Sequence, residues 1–424
     1  MPEVPGPARP QPSDSDPPSA AAGPDYLDQA WLRGLLSALC EIDRPSASEG
    51  ETRAARWLVE RLADEGAEGR LESERAHGTY WWPLGVGVAD GAVAGIASLR
   101  ARSRTTRLLA GAAAGAAAAG IASEYPPGPR WIRSALPQHE TMNVIAELGP
   151  ADADRTVVVV AHHDAAHAGL LFHPGIPATI SRKFPAIWDR ANTSPPMMFP
   201  ILGGPAAVAL GSLIGSRRLT ALGTLLSAGA LPVFADIAAR ETVPGANDNG
   251  TAVVLLIALA RALTADPTAS TRVLLVSTGS EESFSEGMKA FGERHFGDLP
   301  KDRTFFFCVD TVGSPHLMVL RGEGFIRMYH YPEDAISLVE GEAERLGIWM
   351  YPDLRFRNGT DGLESLAAGY PTVALGSVTD YKVPSDYHWP TDTADRVDYG
   401  TLADAVRLVE ATIRSLDREW LPGR

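Results

Sequence analysis

The chain has 424 residues, 45% of them hydrophobic and 21% charged, enough to bury a sizeable core in one large domain or two small ones. A formal net charge of -14 excludes a nucleic-acid surface, which needs a dense basic patch to neutralise phosphates. The two cysteines, Cys40 in an amphipathic helical pattern and Cys308 in a strand pattern, offer neither a disulfide framework nor a thiolate metal site.

Residues 1–25 are rich in Pro, Ser, Ala and Gly, predict a disordered tail, and lack the pattern of a signal peptide. A single catalytic domain is expected over 26–420. It opens with Leu27, Trp31, Leu32, Leu35, Leu36 and Leu39 at helical spacing. A second helix is predicted from Ser48, with Ser48 and Glu51 spaced as a capping box and Ala55, Leu58, Val59 and Leu62 facing inward.

Two apolar hairpins, 84–122 and 197–235, interrupt this domain. Leu84 to Leu99 and Leu108 to Ala122 flank a loop containing Arg100, Arg102, Arg104 and Arg107; Met197 to Gly215 and Leu219 to Ala235 flank Arg217 and Arg218. Asp90 is the one charge within those limits. As helices the segments would be roughly 22–28 Å long against a hydrocarbon core of about 30 Å. Trp81, Trp82, Tyr125, Trp131 and Trp188 lie near the opposite ends, as an interfacial aromatic belt would. The hairpins therefore read as integral membrane anchors, with buried hairpins capping a soluble enzyme as the competing reading. Arginines at the tips favour cytoplasmic tips, but Arg70, Arg75, Arg130, Arg133, Arg182, Lys183 and Arg240 dilute the asymmetry, and the side occupied by the catalytic domain stays open.

Chemistry-bearing residues follow strand patterns. After Met142 to Leu148, the Val run Thr156 to Ala161 reads as a strand covered on both faces and ends in His162-His163-Asp164. A His at a strand end, with an Asp two residues on to orient its ring, suits a metal ligand and its support. His167 and His173 read as structural or lid residues. Gly245-Ala-Asn-Asp-Asn-Gly250 opens the apolar helix Thr251 to Thr264 with more polar chemistry than a cap requires. The strand Arg272 to Thr278 leads to Glu281-Glu282, adjacent carboxylates of which one can bind metal while the other takes a proton from water. The apolar strand Thr304 to Val309 ends at Asp310, which needs a cation or several donors. The last cluster, Ser385 to Thr393 with Tyr387 and His388, precedes an amphipathic helix from Thr401 to about Leu416.

This ordered set resembles the M28-family zinc metallopeptidases, the bimetallic aminopeptidases and their relatives, over roughly Tyr26 to Leu416 without the hairpins. The resemblance implies an α/β fold, with a central, mostly parallel mixed sheet flanked by helices and the two hairpins inserted. It implies two Zn2+ ions held by His162, Asp248, Glu282, Asp310 and His388. Asp248 would bridge them, with His162 and Asp310 on one ion and Glu282 and His388 on the other. Glu281 would be the general base, Asp164 would orient His162, and Tyr387 would help stabilise the oxyanion. One departure is Thr360-Asp361-Gly362, where relatives often have Ser-Asp-His. Nitrogen and oxygen donors without thiolate suit zinc independently of the family. The expected activity is that of a membrane-associated aminopeptidase acting on a peptide or amide substrate through a water activated by two metals. The alternatives are an amidase on N-acyl amino acids or other amphipathic substrates, or a glutaminyl-cyclase-like enzyme. A binding protein on a dead peptidase fold would require lost ligands, and none is lost.

Overall fold

A computed structural model describes residues 24–421, so the tail reading lies almost wholly outside the described residues. The strands are β1 (Gly69–Ala76), β2 (His139–Leu148), β3 (Arg155–His162), β4 (Thr271–Thr278), β5 (Thr304–Val309), β6 (His316–Val319), the short β7 (Gly322–Glu323), β8 (Tyr329–His330) and β9 (Arg355–Phe356), and β10 (Thr372–Val378). One sheet of 7 strands runs in the order β1-β2-β4-β3-β5-β10-β6, and the three short strands form a second. β4, β3, β5 and β10 are mutually parallel, while β1, β2 and β6 pair antiparallel at the two edges. This is the mixed sheet expected, with β1, β6 and β10 added; β1 is charged and β6 short, and neither carries much apolar period.

The helices are α1 (Gln29–Cys40), α2 (Glu49–Asp64), α3 (Trp81–Arg100), α4 (Arg104–Glu124), α5 (Trp131–Ser134), α6 (Gly175–Lys183) and α7 (Pro185–Arg190). They continue with α8 (Phe199–Ile214), α9 (Arg217–Ala238), α10 (Thr251–Ala265), α11 (Glu286–His295), α12 (Glu333–Leu346), α13 (Gly362–Ala367) and α14 (Tyr399–Arg418). The Val run of β3 is covered on both faces. Val157, Val159 and Ala161 pack with α1, α2, α10 and α14, while Val158 and Val160 pack with Met288 and Phe291 of α11. Each such side chain contributes about 1.5–3 kcal/mol by leaving water. Register then fixes the site: His162 pairs with Thr278, and Val160 with Cys308, so β3, β4 and β5 deliver their carboxyl ends to one edge.

The two hairpins pack side by side as a four-helix bundle, α3 against α4 and α9, and α8 against α9 and α4. Small residues permit the approach: a Cβ on Gly223 would stand 2.5 Å from the Gly204 carbonyl oxygen. Ser98 and Ser212 share a hydrogen bond of 2.7 Å between α3 and α8. At its base the bundle sits on the sheet half through Leu84, Val88, Tyr125 and Phe234 against Phe325 and Leu363. The helices overrun the predicted segments because polar and aromatic ends also coil; Arg104 and Arg107 belong to α4 rather than to the loop. Among the described residues, three helical runs are long and apolar enough to cross a membrane: α3, α9 and Ala246–Ala265. The last is enclosed by the sheet half, 83% of its apolar window being buried against 22% for α9. Every exposed large apolar side chain except Leu71 and Ile326 lies between residues 82 and 233.

Candidate metal centre

The carboxyl ends of the parallel strands converge on Asp248. Its Oδ1 lies 3.4 Å from His162 Nε2 and its Oδ2 lies 3.2 Å from His388 Nε2. Glu282 Oε2 is 3.1 Å from the same His388 nitrogen, while Glu281 Oε2 and Asp310 Oδ2 are 3.8 and 4.0 Å from His162 Nε2. The structure thus brings together Glu281 and all five residues expected to be ligands. The donors suit divalent ions: all are nitrogen or oxygen, and His162 Nε2 and Glu282 Oε1 are buried without a hydrogen-bond partner. Ligand atoms of His162, Asp248 and Glu282 lie within 4.8 Å of one another.

Electrostatics report an excess of negative charge. Burial pushes the Glu281 and Asp310 carboxyls well above the usual range, with neighbouring carboxylates adding to it, and raises Glu282 as well. Burial also opposes ionisation of Asp248, yet His162 and His388 outweigh it and hold that carboxyl below its ordinary value. His388 is raised to about 10, since Glu282 and Asp248 overcome the cost of burying an imidazolium. Cations in the centre would relieve this mutual repulsion.

Asp164 supports two elements at once. Its Oδ1 accepts from the Glu281 amide (3.0 Å) and lies 3.4 Å from His162 Nδ1; its Oδ2 accepts from the Glu282 amide (3.1 Å) and Ser46 Oγ (2.6 Å). The capping-box reading of Glu51 is corrected. Ser48 Oγ does accept from the Glu51 amide (3.1 Å), but the Glu51 carboxylate turns inward to accept from Ala47 N (2.6 Å), Met142 N (3.0 Å) and Ser280 N (3.1 Å). Ala47 lies just before the cap, whereas Met142 on β2 and Ser280 after β4 are distant in sequence from the helix. Asp392 accepts from the amides of Asn247 (2.7 Å) and Asp248 (3.1 Å), and burial pushes its carboxyl to about 8. Arg44, buried, donates to the carbonyls of His163 (2.8 Å), Pro244 (2.7 Å) and Gly245 (2.7 Å), joining the end of β3 to the turn before Asp248. Arg130 Nη2 donates to the Ser285 carbonyl (3.3 Å) and Arg133 to that of Ser283, so the end of the first hairpin grips the loop after Glu282.

Sequence reasoning assigned no part in this centre to Glu51, Asp361, Asp392 or Arg44. Asp361 is buried beside Glu281, accepts from Thr278 Oγ1, and has its carboxyl pushed to about 6 by burial. The one signal available was Asp361 in the departing Thr360-Asp361-Gly362 stretch. Backbone strain offers a signal that only coordinates show: Ser280, Phe284, Ser285, Thr311 and His388 all have positive φ, a conformation that costs non-glycine residues roughly 1–3 kcal/mol each and collects at working sites. His163 points elsewhere, its Nδ1 3.0 Å from Ser277 Oγ. His167 bonds the Arg240 carbonyl (2.8 Å), and His173 packs its ring on Trp389. Tyr387 stacks on His388 with ring centroids 3.9 Å apart, and burial near Asp248 and Glu282 keeps its phenol protonated.

The mixed sheet gathers nitrogen and oxygen donors at its parallel strand ends, an arrangement suited to divalent ions. Residues 231–413 match the profile of Peptidase family M28. In structure it is similar to the aminopeptidase from Aneurinibacillus sp. strain AM-1, with a TM-score of 0.52 and 14% identity over 92% of this chain and 93% of that one. It is also similar to a Zn-dependent exopeptidase from Parabacteroides distasonis ATCC 8503 (TM-score 0.54, 12% identity, 93% and 99% covered). The glutaminyl cyclase from Fimbriiglobus ruber shares the fold too (TM-score 0.54, 13% identity, 95% and 99% covered). No curated protein matches the sequence.

Proposed function

We propose that the protein is a membrane-anchored zinc aminopeptidase with two metal sites joined by Asp248. The observation carrying this reading is that the two Asp248 oxygens face opposite imidazoles, His162 at 3.4 Å and His388 at 3.2 Å, with Glu282 beside the second. His162 and Asp310 would hold one ion, Glu282 and His388 the other. Ions so held lower the pKa of water toward ~7 and polarise a scissile carbonyl. Glu281 then accepts the proton of the attacking water and returns it to the leaving amine. Burial raises its carboxyl above the usual range, the direction that favours holding a proton between the two transfers. Asp164 fixes the His162 ring and the Glu281 amide together, and the protonated Tyr387 hydroxyl is the donor for the developing oxyanion. Anchoring is supported by the exposed large apolar side chains, which, Leu71 and Ile326 apart, lie among the described residues on the bundle and the segments next to it in the chain.

Because the cyclase from Fimbriiglobus ruber has this fold, the test must separate hydrolysis from cyclisation. Purified protein is assayed with aminoacyl amides and with a peptide bearing amino-terminal glutamine, alongside elemental analysis. Two zinc ions per chain, release of the amino-terminal residue, and loss of both ions in Asp248→Ala are expected. Ammonia release from the glutamine peptide without hydrolysis, or one ion fully retained in Asp248→Ala, overturns the reading in favour of a one-metal cyclase. For the anchor, the intact chain should resist carbonate extraction and dissolve in detergent; recovery in the soluble fraction overturns it.

A further inference from the structure

The segment from Leu170 to Arg190 belongs neither to the sheet half nor to the bundle. Through α6 and α7 it presents Ile176, Ile180, Phe184 and Ile187 to solvent, spaced four, four and three residues apart, with Phe184 54% and Ile187 70% exposed. Basic residues Arg182, Lys183 and Arg190 accompany them against one carboxylate, Asp189. A short helix with an apolar face rimmed by Lys and Arg fits a bilayer surface, where the long basic side chains reach the headgroups.

Both ends of the segment are fixed. The Leu170 amide donates to Asp236 Oδ2 in the last turn of α9 (2.7 Å), and Lys382 Nζ donates to the carbonyls of Trp188 (2.7 Å) and Ala191 (2.9 Å). The segment therefore lies beside the base of the bundle, where Trp82 and Trp131 are each 60% exposed. Exposed Leu170 and Leu171 precede α6 in the chain and exposed Met197 and Phe199, at the start of α8, follow α7. The segment also reaches the site: the Phe172 ring packs on His388 (centroids 4.6 Å) and Tyr387 (5.8 Å). At the start of α6 lies an open cleft of about 400 Å³ lined by His173, Gly175, Ile176, Thr179 and Ile180.

We propose that α6 and α7 lie on the surface of a lipid bilayer and bring to the metal centre amides whose leaving group carries a lipid-embedded apolar chain. This rests on the membrane-anchored hydrolase reading above and adds the surface and the substrate class. The bilayer is the favoured occupant because the segment is tied to the last turn of α9, one of the proposed spans, and sets basic residues beside its exposed apolar ones.

The full chain is reconstituted in vesicles of phosphatidylcholine with phosphatidylglycerol. A nitroxide at Ile187→Cys reads the surroundings of α7, and the unsubstituted chain labelled in parallel gives the contribution of Cys40 and Cys308. Relaxation by oxygen stronger than by a water-soluble nickel chelate is expected. Relaxation by nickel above oxygen places the face in water and overturns the proposal, as does spin–spin broadening that dilution with unlabelled chain removes, which assigns the face to a second copy. This readout needs no turnover, so its failure is distinct from failure of the hydrolase reading. For the substrate class, Ile180→Gln, Phe184→Gln and Ile187→Gln are combined. Their kcat/KM should stay within about twofold on a soluble aminoacyl amide and fall about tenfold or more on the same aminoacyl group attached to a long-chain alkylamine in the vesicle. Equal loss on both, or no loss on either, overturns the delivery role.

Discussion

The helix α10 and the helix α9 are both apolar all round, yet the first is enclosed and the second is left open. Around α10, large side chains from four helices and the sheet interlock, and charge is carried inward to the strand ends, where donors or a cation must balance it. Within the bundle many contacts are instead made by Gly, Ala and Ser, backbone approaches backbone, and large side chains such as Val93, Leu109, Leu213 and Leu225 point outward. The contrast teaches that apolarity by itself does not place a helix. What surrounds it, and whether its large side chains meet a partner, decides between a protein core and a lipid-facing surface.

The largest effect that tests the sheet half of this comparison comes from Glu281→Gln, which keeps size but removes the base. Turnover is expected to fall at least ~10²-fold with zinc content near that of the unsubstituted protein. Elemental analysis and steady-state kinetics check both, and retained activity would sink the assignment. His162→Ala should remove activity and metal, while His163→Ala, whose Nδ1 faces Ser277, should retain metal; the reverse outcome would move the liganding position by one residue.

The sheet half was legible because its chemistry sits at strand ends, and a buried Val run followed by His162, or an aromatic run followed by Asp310, is a local signal. Glu51 and Asp392 were not legible. Each acts on backbone amides far away in sequence, Ser280 and Asn247 respectively, and sequence spacing shows no contact of that range. The bundle was legible as two hairpins from composition. That the hairpins pack against one another depends on pairs such as Gly111 with Ser212 and Gly91 with Pro205, which carry no periodic mark. The apolar face of α6 and α7 was missed because its helices are short and broken at Phe184, so no long apolar period announces it.

A smaller effect sharpens the point about inward charge. Glu323 is fully buried, and burial pushes its carboxyl from 4.5 up to about 7 despite donors from Tyr331 and Thr360. A raised acid binds its proton more tightly folded than unfolded, so its contribution to stability is full below pH 4.5 and is lost as pH rises to about 7. Glu323→Gln should therefore gain on the unsubstituted protein by up to about 3 kcal/mol across that window, with no further change above it. Denaturation of both proteins between pH 4.5 and 8 measures the difference, and a constant gap would show that Glu323 does not titrate there.

The smallest expected effect tests the open half. Asp90 lies exposed midway along α3, on the outer face of the bundle. If that face meets lipid, a carboxylate there opposes insertion by about 2.5–3.5 kcal/mol, and Asp90→Leu removes that cost. Since α4, α8 and α9 also hold the bundle in place, the gain shows as a modest decrease in the fraction released by carbonate, with activity on a soluble substrate unchanged. If the bundle instead caps a soluble enzyme, the same substitution adds an apolar side chain to a wet surface. The intact chain would then become less soluble without detergent, and no membrane fraction would change. The two readings thus predict different fractions for one substitution, and the sedimentation profile of Asp90→Leu beside the unsubstituted chain decides between them.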